Sequence, residues 1–501
     1  MGRRVVLVSA AALLLFVSVA GATVINGTKR GELLRGGPRA DRIDAKGGSD
    51  RIKVDGGGRD TVRCGRGVDL VNADAGDRVA RDCETIVRVI ARDRYTTPAQ
   101  HSTIAEPDSL AWGNTIVAAF QSGRFRDGGA VNTGWATSRD GGRTWRFGVL
   151  PSLTTAASPP GPWARASDPV VAFDAVHQTW LIASLALQPG VSAAVVVSRS
   201  LNGLTWSPPV TVVQAPWTPN LLLDKEWIVC DNGAASPHRG SCYVTYSDFR
   251  TFRLEFQASR DGGLTWEGQV AAPDNAGRAS IIGRWAPAPQ PVVQPDGDLI
   301  VPYYDESRVA AIRSADGGRS FAASVMVAPT EFRPTPGLRA PPLPSAEVDA
   351  AGTIYVGWPD CGRPCARNTI VVSSSTDGIT WSSPTRLALG RSGVDFVLPG
   401  LAADPRRPGR LALVYYAATS DAFLDVGFVS STDGGRRWSS PRRLNAQTMS
   451  YTWAAQAGGV MVGDYFSTSF VGSTAVPVFV LASRPGARFD QPLFAARFAV
   501  R

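Results

Sequence analysis

Lysine, histidine, cysteine and methionine are all scarce in this chain of 501 residues. Only four of its 52 basic residues are lysines, at positions 29, 46, 53 and 225. The net charge of +9 is carried by arginines scattered along the sequence, and the longest basic runs are the pairs 3–4, 29–30, 406–407, 436–437 and 442–443. No polybasic nucleic-acid surface is expected. The three histidines, His101, His177 and His238, stand apart without a nucleophile motif, which excludes a His-rich metal centre and a Ser/His/Asp triad. The six cysteines contain no CxxC pair, so a thiol redox enzyme is not expected. Long apolar runs are also missing, apart from one at the start.

That run, Val5 to Val19, follows Arg3-Arg4 and precedes the small-residue pattern Ala20-Gly21-Ala22. It is read as a cleaved signal peptide, residues 1–22, with an uncleaved anchor as the alternative. The mature protein is then secreted and free of membrane. Outside the cytosol cysteines pair. Proximity suggests Cys64 with Cys83, Cys230 with Cys242 and Cys361 with Cys365. A hydrophobic share of 44% and a charged share of 19% mark a globular chain. The 52 glycines and 36 prolines favour turns over long helices.

Two rhythms organise the chain. Between residues 27 and 84 an acid is followed two places later by an aliphatic: Glu32/Leu34, Asp41/Ile43, Asp50/Ile52, Asp60/Val62, Asp69/Val71 and Asp77/Val79. Glycine clusters precede most of them. The pattern resembles the glycine- and aspartate-rich repeats of the RTX (haemolysin-type) family. That resemblance implies a parallel β-roll over residues 23–90, with Ca²⁺ held by Asp41, Asp50, Asp60 and Asp69. The copy is degenerate, and its arginines offer a second solution: a short ion-free cap closed by Cys64–Cys83.

The second rhythm is longer. Ser138-Arg-Asp-Gly-Gly-Arg-Thr-Trp145 recurs as 259–266, 314–321 and 431–438, and one residue shorter as 200–206 and 375–381. Its key residues are Asp140/Trp145, Asn202/Trp206, Asp261/Trp266, Asp316/Phe321, Asp377/Trp381 and Asp433/Trp438. Asp-Gly tolerates positive φ, its carboxylate can cap backbone N–H groups, and the aromatic packs under the turn, so these positions are structural. The series resembles the Asp-box, or BNR repeat, of sialidases and related propellers. The closing aromatics stand about 58 residues apart, near one four-stranded blade. The expected fold is therefore all-β: a β-propeller over residues 91–501, seven blades favoured and six the alternative, behind the short parallel β-roll.

The resemblance implies a ligand on the face opposite the Asp-box turns. That face should carry the starts of the first strands: Glu106-Pro-Asp108, Asp168-Pro169, Asp224-Lys-Glu-Trp227, Arg284-Trp285 and Gly463-Asp464-Tyr465. Sialidases use three arginines, a Tyr helped by Glu, and an Asp. The candidates here are Arg124, Arg250 and Arg308 with Tyr465, Glu226 and Asp168, although the Phe-Arg-Ile-Pro element of that family is missing. The functional expectation is a secreted, monomeric, sialidase-like propeller. It would bind glycans or a surface protein without organic cofactor and without established catalysis. The alternatives are an exo-α-sialidase-type hydrolase and a structural or adhesive exoprotein.

Overall fold

The computed structural model describes residues 23–96, 99–189, 192–215, 223–283, 286–390 and 392–501. The expected signal peptide and the pair Arg284-Trp285 lie outside the described residues.

The chain begins as a coil of eight short strands: β1 (Val24–Asn26), β2 (Leu33–Arg35), β3 (Arg42–Asp44), β4 (Arg51–Val54), β5 (Thr61–Arg63), β6 (Leu70–Ala73), β7 (Arg78–Val79) and β8 (Thr85–Ala91). They stack in two parallel ladders, β1-β3-β5-β7 and β2-β4-β6-β8, giving a β-solenoid of about four turns. Each turn takes two of the nine-residue repeats. The aliphatic two places after each acid therefore stacks on the aliphatic of the next turn: Ile43 on Val62, and Ile52 on Val71. All four are completely buried. The Cys64–Cys83 disulfide ties neighbouring turns.

The rest of the chain is antiparallel. Six successive units of four strands start at the strands Gln100–Trp112, Arg165–Asp174, Leu223–Cys230, Val292–Val293, Ser345–Val348 and Val394–Ala403. A last group, Ser467–Val471, Thr474–Val480 and Leu493–Ala496, pairs through Leu493–Ala496 with β8. The solenoid and the C-terminal strands thus share one eight-stranded sheet. The first two units also merge into an eight-stranded sheet, joined where Ala130 pairs with Ala166.

These ladders correct the expected fold class. The coiled fold present is the stacked β-solenoid, and the hydrogen-bonded sheets are open and unequal, in place of seven or six equal blades behind a separate roll. The propeller expectation is not retained. The physical reason is that motif spacing counts hairpins along the chain. It does not determine which strand of one unit finds a partner in another, as β8 and Leu493–Ala496 do.

The repeated turns have the local chemistry that their residues suggest. Asp140 Oδ1 accepts from the N–H groups of Arg143 (3.0 Å) and Thr144 (2.9 Å) and from the Ser138 hydroxyl (2.8 Å), while Oδ2 accepts from the Thr144 hydroxyl (2.6 Å). Asp261 and Asp316 repeat this set. Asp377 and Asn202 keep both backbone contacts, and Asp433 keeps one, from the Arg437 N–H. Trp145 and Trp438 donate to the Gly142 and Gly435 carbonyls beneath their turns. Phe321 packs on Phe256 instead, with ring centres 4.1 Å apart. Trp206, Trp266 and Trp381 pack in the same way without a partner for their indole N–H. All three disulfides form between the neighbours in sequence: Cys64–Cys83, Cys230–Cys242 and Cys361–Cys365.

Candidate active site

Four of the six first strands of the antiparallel units share an irregularity. Their ladders slip between Ala119 and Gln121, Ser167 and Val170, Asp224 and Trp227, and Val397 and Gly400. Each slip is a β-bulge, and in three of the four it holds an X-Pro step: Glu106-Pro107, Asp168-Pro169 and Leu398-Pro399. Proline cannot donate to the ladder, so the strand bulges there. The residue at each bulge takes a left-handed backbone, with φ 49° at Glu106, 45° at Asp168, 53° at Lys225 and 55° at Leu398. Such conformations are costly for residues other than glycine and concentrate at functional sites.

The bulges turn charged side chains toward one another. Lys225 Nζ lies 2.8 Å from Asp168 Oδ2, 2.9 Å from Asp464 Oδ2 and 3.6 Å from Glu106 Oε1. Arg339 holds Asp464 with two donors, one of them Nε at 2.8 Å from Oδ1. Gln121 donates to Glu106 Oε2 and accepts from Arg124. Tyr465 donates to the Pro169 carbonyl (3.1 Å) and meets Trp227 edge-on at 5.3 Å. Glu106, Asp168, Lys225, Glu226 and Asp464 are all buried, whereas about a quarter of the Arg339 side chain reaches solvent.

Burial and pairing split the protonation states. Burial, reinforced by the Asp168 charge, raises Glu106 to about 8. Burial also pushes Glu226 well up, and neither of its oxygens has a hydrogen-bond partner. For Asp168 and Asp464 burial acts in the same direction but is outweighed. Lys225 holds Asp168 below the usual range, and Arg339 with Lys225 does so for Asp464. The surrounding carboxylates likewise overcome burial to keep Lys225 charged. At neutral pH the cluster therefore holds protonated Glu106 and Glu226 beside ionised Asp168 and Asp464. Glu106 Oε1 and Arg124 Nε are buried without a hydrogen-bond partner.

Of the candidates drawn from the sequence, Asp168, Glu226, Tyr465 and Arg124 come together here. Arg250 and Arg308 do not: Asp248 and Asp305, two and three residues away, hold them within their own hairpins. Lys225 and Asp464 were legible only as members of strand starts. Arg339 gave no sequence signal. It precedes the strand Ser345–Val348 in an irregular segment, and only folding brings it to Asp464.

The solenoid aspartates play another part. Asp60 Oδ1 accepts from the Asp41 N–H (2.6 Å), and Asp69 Oδ1 from the Asp50 N–H (2.7 Å). Asp50 in turn caps the Glu32 N–H, and Asp41 takes the Thr23 N–H and hydroxyl. Each carboxylate thus closes the turn before it, and nothing in this arrangement singles out calcium. Among the described residues, the group of three donor side chains gathered closely enough to hold a metal ion is Glu331, Cys361 and Cys365. Its two sulfurs are joined in the disulfide, and Glu331 is paired with Arg363.

No family model and no curated protein matches the chain. Solved structures similar to it include a Hadza microbial sialidase at 13% identity, covering 74% of each chain with a TM-score of 0.42. An ulvan lyase at 11% identity covers 81% of this chain and 94% of its own, with a TM-score of 0.47. The α-L-arabinofuranosidase of Fusarium graminearum at 13% identity covers 82% and 97%, with a TM-score of 0.44. Likeness at this level carries no assignment of activity. The family resemblances read from the motifs, to Asp-box sialidases and to RTX proteins, are corrected by the sheet topology: a stacked β-solenoid with open, unequal sheets stands where a propeller behind an RTX roll was expected. The sialidase-like propeller with a glycan face opposite its Asp-box turns is overturned with them. No helix among the described residues is long and apolar enough to cross a membrane.

Proposed function

We propose that this chain is an extracellular carbohydrate-active protein of hydrolase type, with the Lys225 cluster as its acid–base centre. One observation carries the reading: Glu106 and Asp168 converge on the Lys225 ammonium in one buried cluster, where burial favours the proton on Glu106 and pairing with Lys225 the charge on Asp168, the arrangement that separates an acid from a base. In that centre Glu106 is the proton donor to the leaving glycosidic oxygen and Asp168 the acceptor from the attacking water, and because both are buried, substrate reaches them only by parting the side chains between them and the exposed edge of Arg339. Lys225 keeps Asp168 ionised, and Arg339, the partly exposed member, meets the substrate. The extracellular setting is supported by the arginine-led apolar run at the start of the sequence and by three disulfides.

The test is release of reducing sugar from a panel of neutral and acidic polysaccharides by the purified protein. Glu106→Gln keeps the shape and removes the proton, and it should lower kcat about 100-fold or more with little change in KM. Activity should decline as pH rises past about 8, where Glu106 ionises. Silence on every substrate, or a Glu106→Gln variant as active as the parent, rejects the reading.

A further inference from the structure

A cavity of about 450 Å³ lies among the first strands, beyond the acid–base cluster. Its wall is built from residues that follow the bulges on the same strands: Asp108 and Trp112 after Glu106, Phe173 after Asp168, and Trp227 after Lys225. The volume is typical of a small-molecule site. Its lining is unusual in charge. Asp108, Glu347 and Asp349 contribute carboxyl groups, while no lysine, arginine or histidine stands among the described residues that line it. Four aromatics, Trp112, Phe173, Trp227 and Phe470, stand among otherwise mostly small and aliphatic residues. Trp112 remains 42% exposed, with its ring 5.1 Å from that of Phe173.

The acids are not equivalent. Asp349 is fully occupied, accepting from the N–H groups of Ala351, Thr353 and Gly409 and from the Tyr355 hydroxyl. Asp108 accepts from the Val171 N–H (2.8 Å). Glu347, on the strand Ser345–Val348, has no such commitment and turns toward the cavity. We propose that this cavity binds a monovalent organic cation with apolar substituents, its charge facing Glu347 and its alkyl groups lying against the indoles of Trp112 and Trp227. Aromatic faces attract such cations, and the one wall carboxylate without a hydrogen-bond partner among the described residues, with no competing cation beside it, completes the site. A carboxylated ligand would meet three acids and no base, and is excluded.

The site has a built-in pH dependence. Burial raises Glu347 well above the ordinary glutamate value, with the Asp108 charge adding to it, and burial raises Asp108 to about 7. The charged groups facing Glu347 are Asp108 from the strand Gln100–Trp112 and Asp349 from its own segment. The other first strands bring none to the wall. A cation favours the ionised carboxylate, so binding tightens as pH rises through the raised value and releases a proton. The site is separate from the hydrolase reading and stands or falls without it.

Calorimetry on the purified full chain with choline tests the proposal, with 3,3-dimethylbutan-1-ol, its uncharged carbon analogue, as control. Choline should bind at least about tenfold more tightly than the alcohol, and more tightly at about pH 9 than at about pH 6. Glu347→Gln should abolish that preference, and Trp112→Leu should weaken choline about tenfold. Circular dichroism identifies a variant that has failed to fold, in which case the choline-to-alcohol ratio of the parent decides alone. Equal affinity for the two probes, or no binding of choline at either pH, overturns the proposal.

Discussion

Aspartate recurs in two series in this molecule, and apart from Asp41, which Thr23 and Gly37 hold low, the two behave in opposite ways. In the hairpin turns, Asp140, Asp261, Asp316 and Asp377 are held at about 2, because several donors converge on each carboxylate and outweigh or exceed the cost of burial. In the solenoid, Asp50, Asp60 and Asp69 each cap one backbone N–H and leave the other oxygen buried and unpartnered, so burial wins and their values rise. Asp77 reaches about 6. The balance between the donors brought to a carboxylate and its burial decides its charge, and at Asp77 burial wins even against two backbone donors. The Lys225 cluster contains both outcomes within a few ångströms.

The largest effect is expected where a full cation supports the ionised members. Lys225→Met leaves Asp168 and Asp464 buried with less compensation and should cost about 3–5 kcal/mol in denaturant unfolding. In the turns, Asp140→Ala removes a cap with four donors and should cost about 1–2 kcal/mol. The same measurement on the solenoid should go the other way. At Asp50, Asp60, Asp69 and Asp77 the folded values lie above the unfolded ones, so there the unfolded chain binds fewer protons and stability falls as pH rises from about 4 to about 6, whereas Asp41, held down by Thr23 and Gly37, follows the turns. Asp69→Asn keeps the cap on the Asp50 N–H and loses no partner at its other oxygen, so it should remove part of that loss, seen as greater protection of solenoid amides from hydrogen exchange near pH 7. The turns lose their contribution only as pH falls from 3.8 toward about 2. If solenoid and turns respond to acid alike, the contrast between them is broken. The smallest effect is Asn202→Asp, which gives the one neutral turn its carboxylate. A gain of about 0.5 kcal/mol is expected from stronger capping of the Leu204 and Thr205 N–H groups.

The candidate site was partly legible in advance because bulges have a local signature. Glu-Pro and Asp-Pro at strand starts mark places where a ladder must slip, and both were singled out as strand starts. Arg250 and Arg308 misled because an arginine beside an aspartate in a hairpin reads equally well as a free ligand group or as a closed local pair. The cavity had no signature at all. Asp108 and Glu347 are 239 positions apart, and nothing near either residue indicates the other.

Local chemistry was therefore settled by the sequence alone: strands, turn caps, the stacking of aliphatics two places after each acid, and the pairing of neighbouring cysteines. These depend on interactions within or between adjacent repeats, whose geometry the backbone period dictates. Assembly was decided by the tertiary structure. The fusion of solenoid and C-terminal strands into one sheet, the meeting of Arg339 with Asp464, and the acid-lined cavity all depend on contacts between distant segments, and a repeat that satisfies its own hydrogen bonds leaves those contacts open.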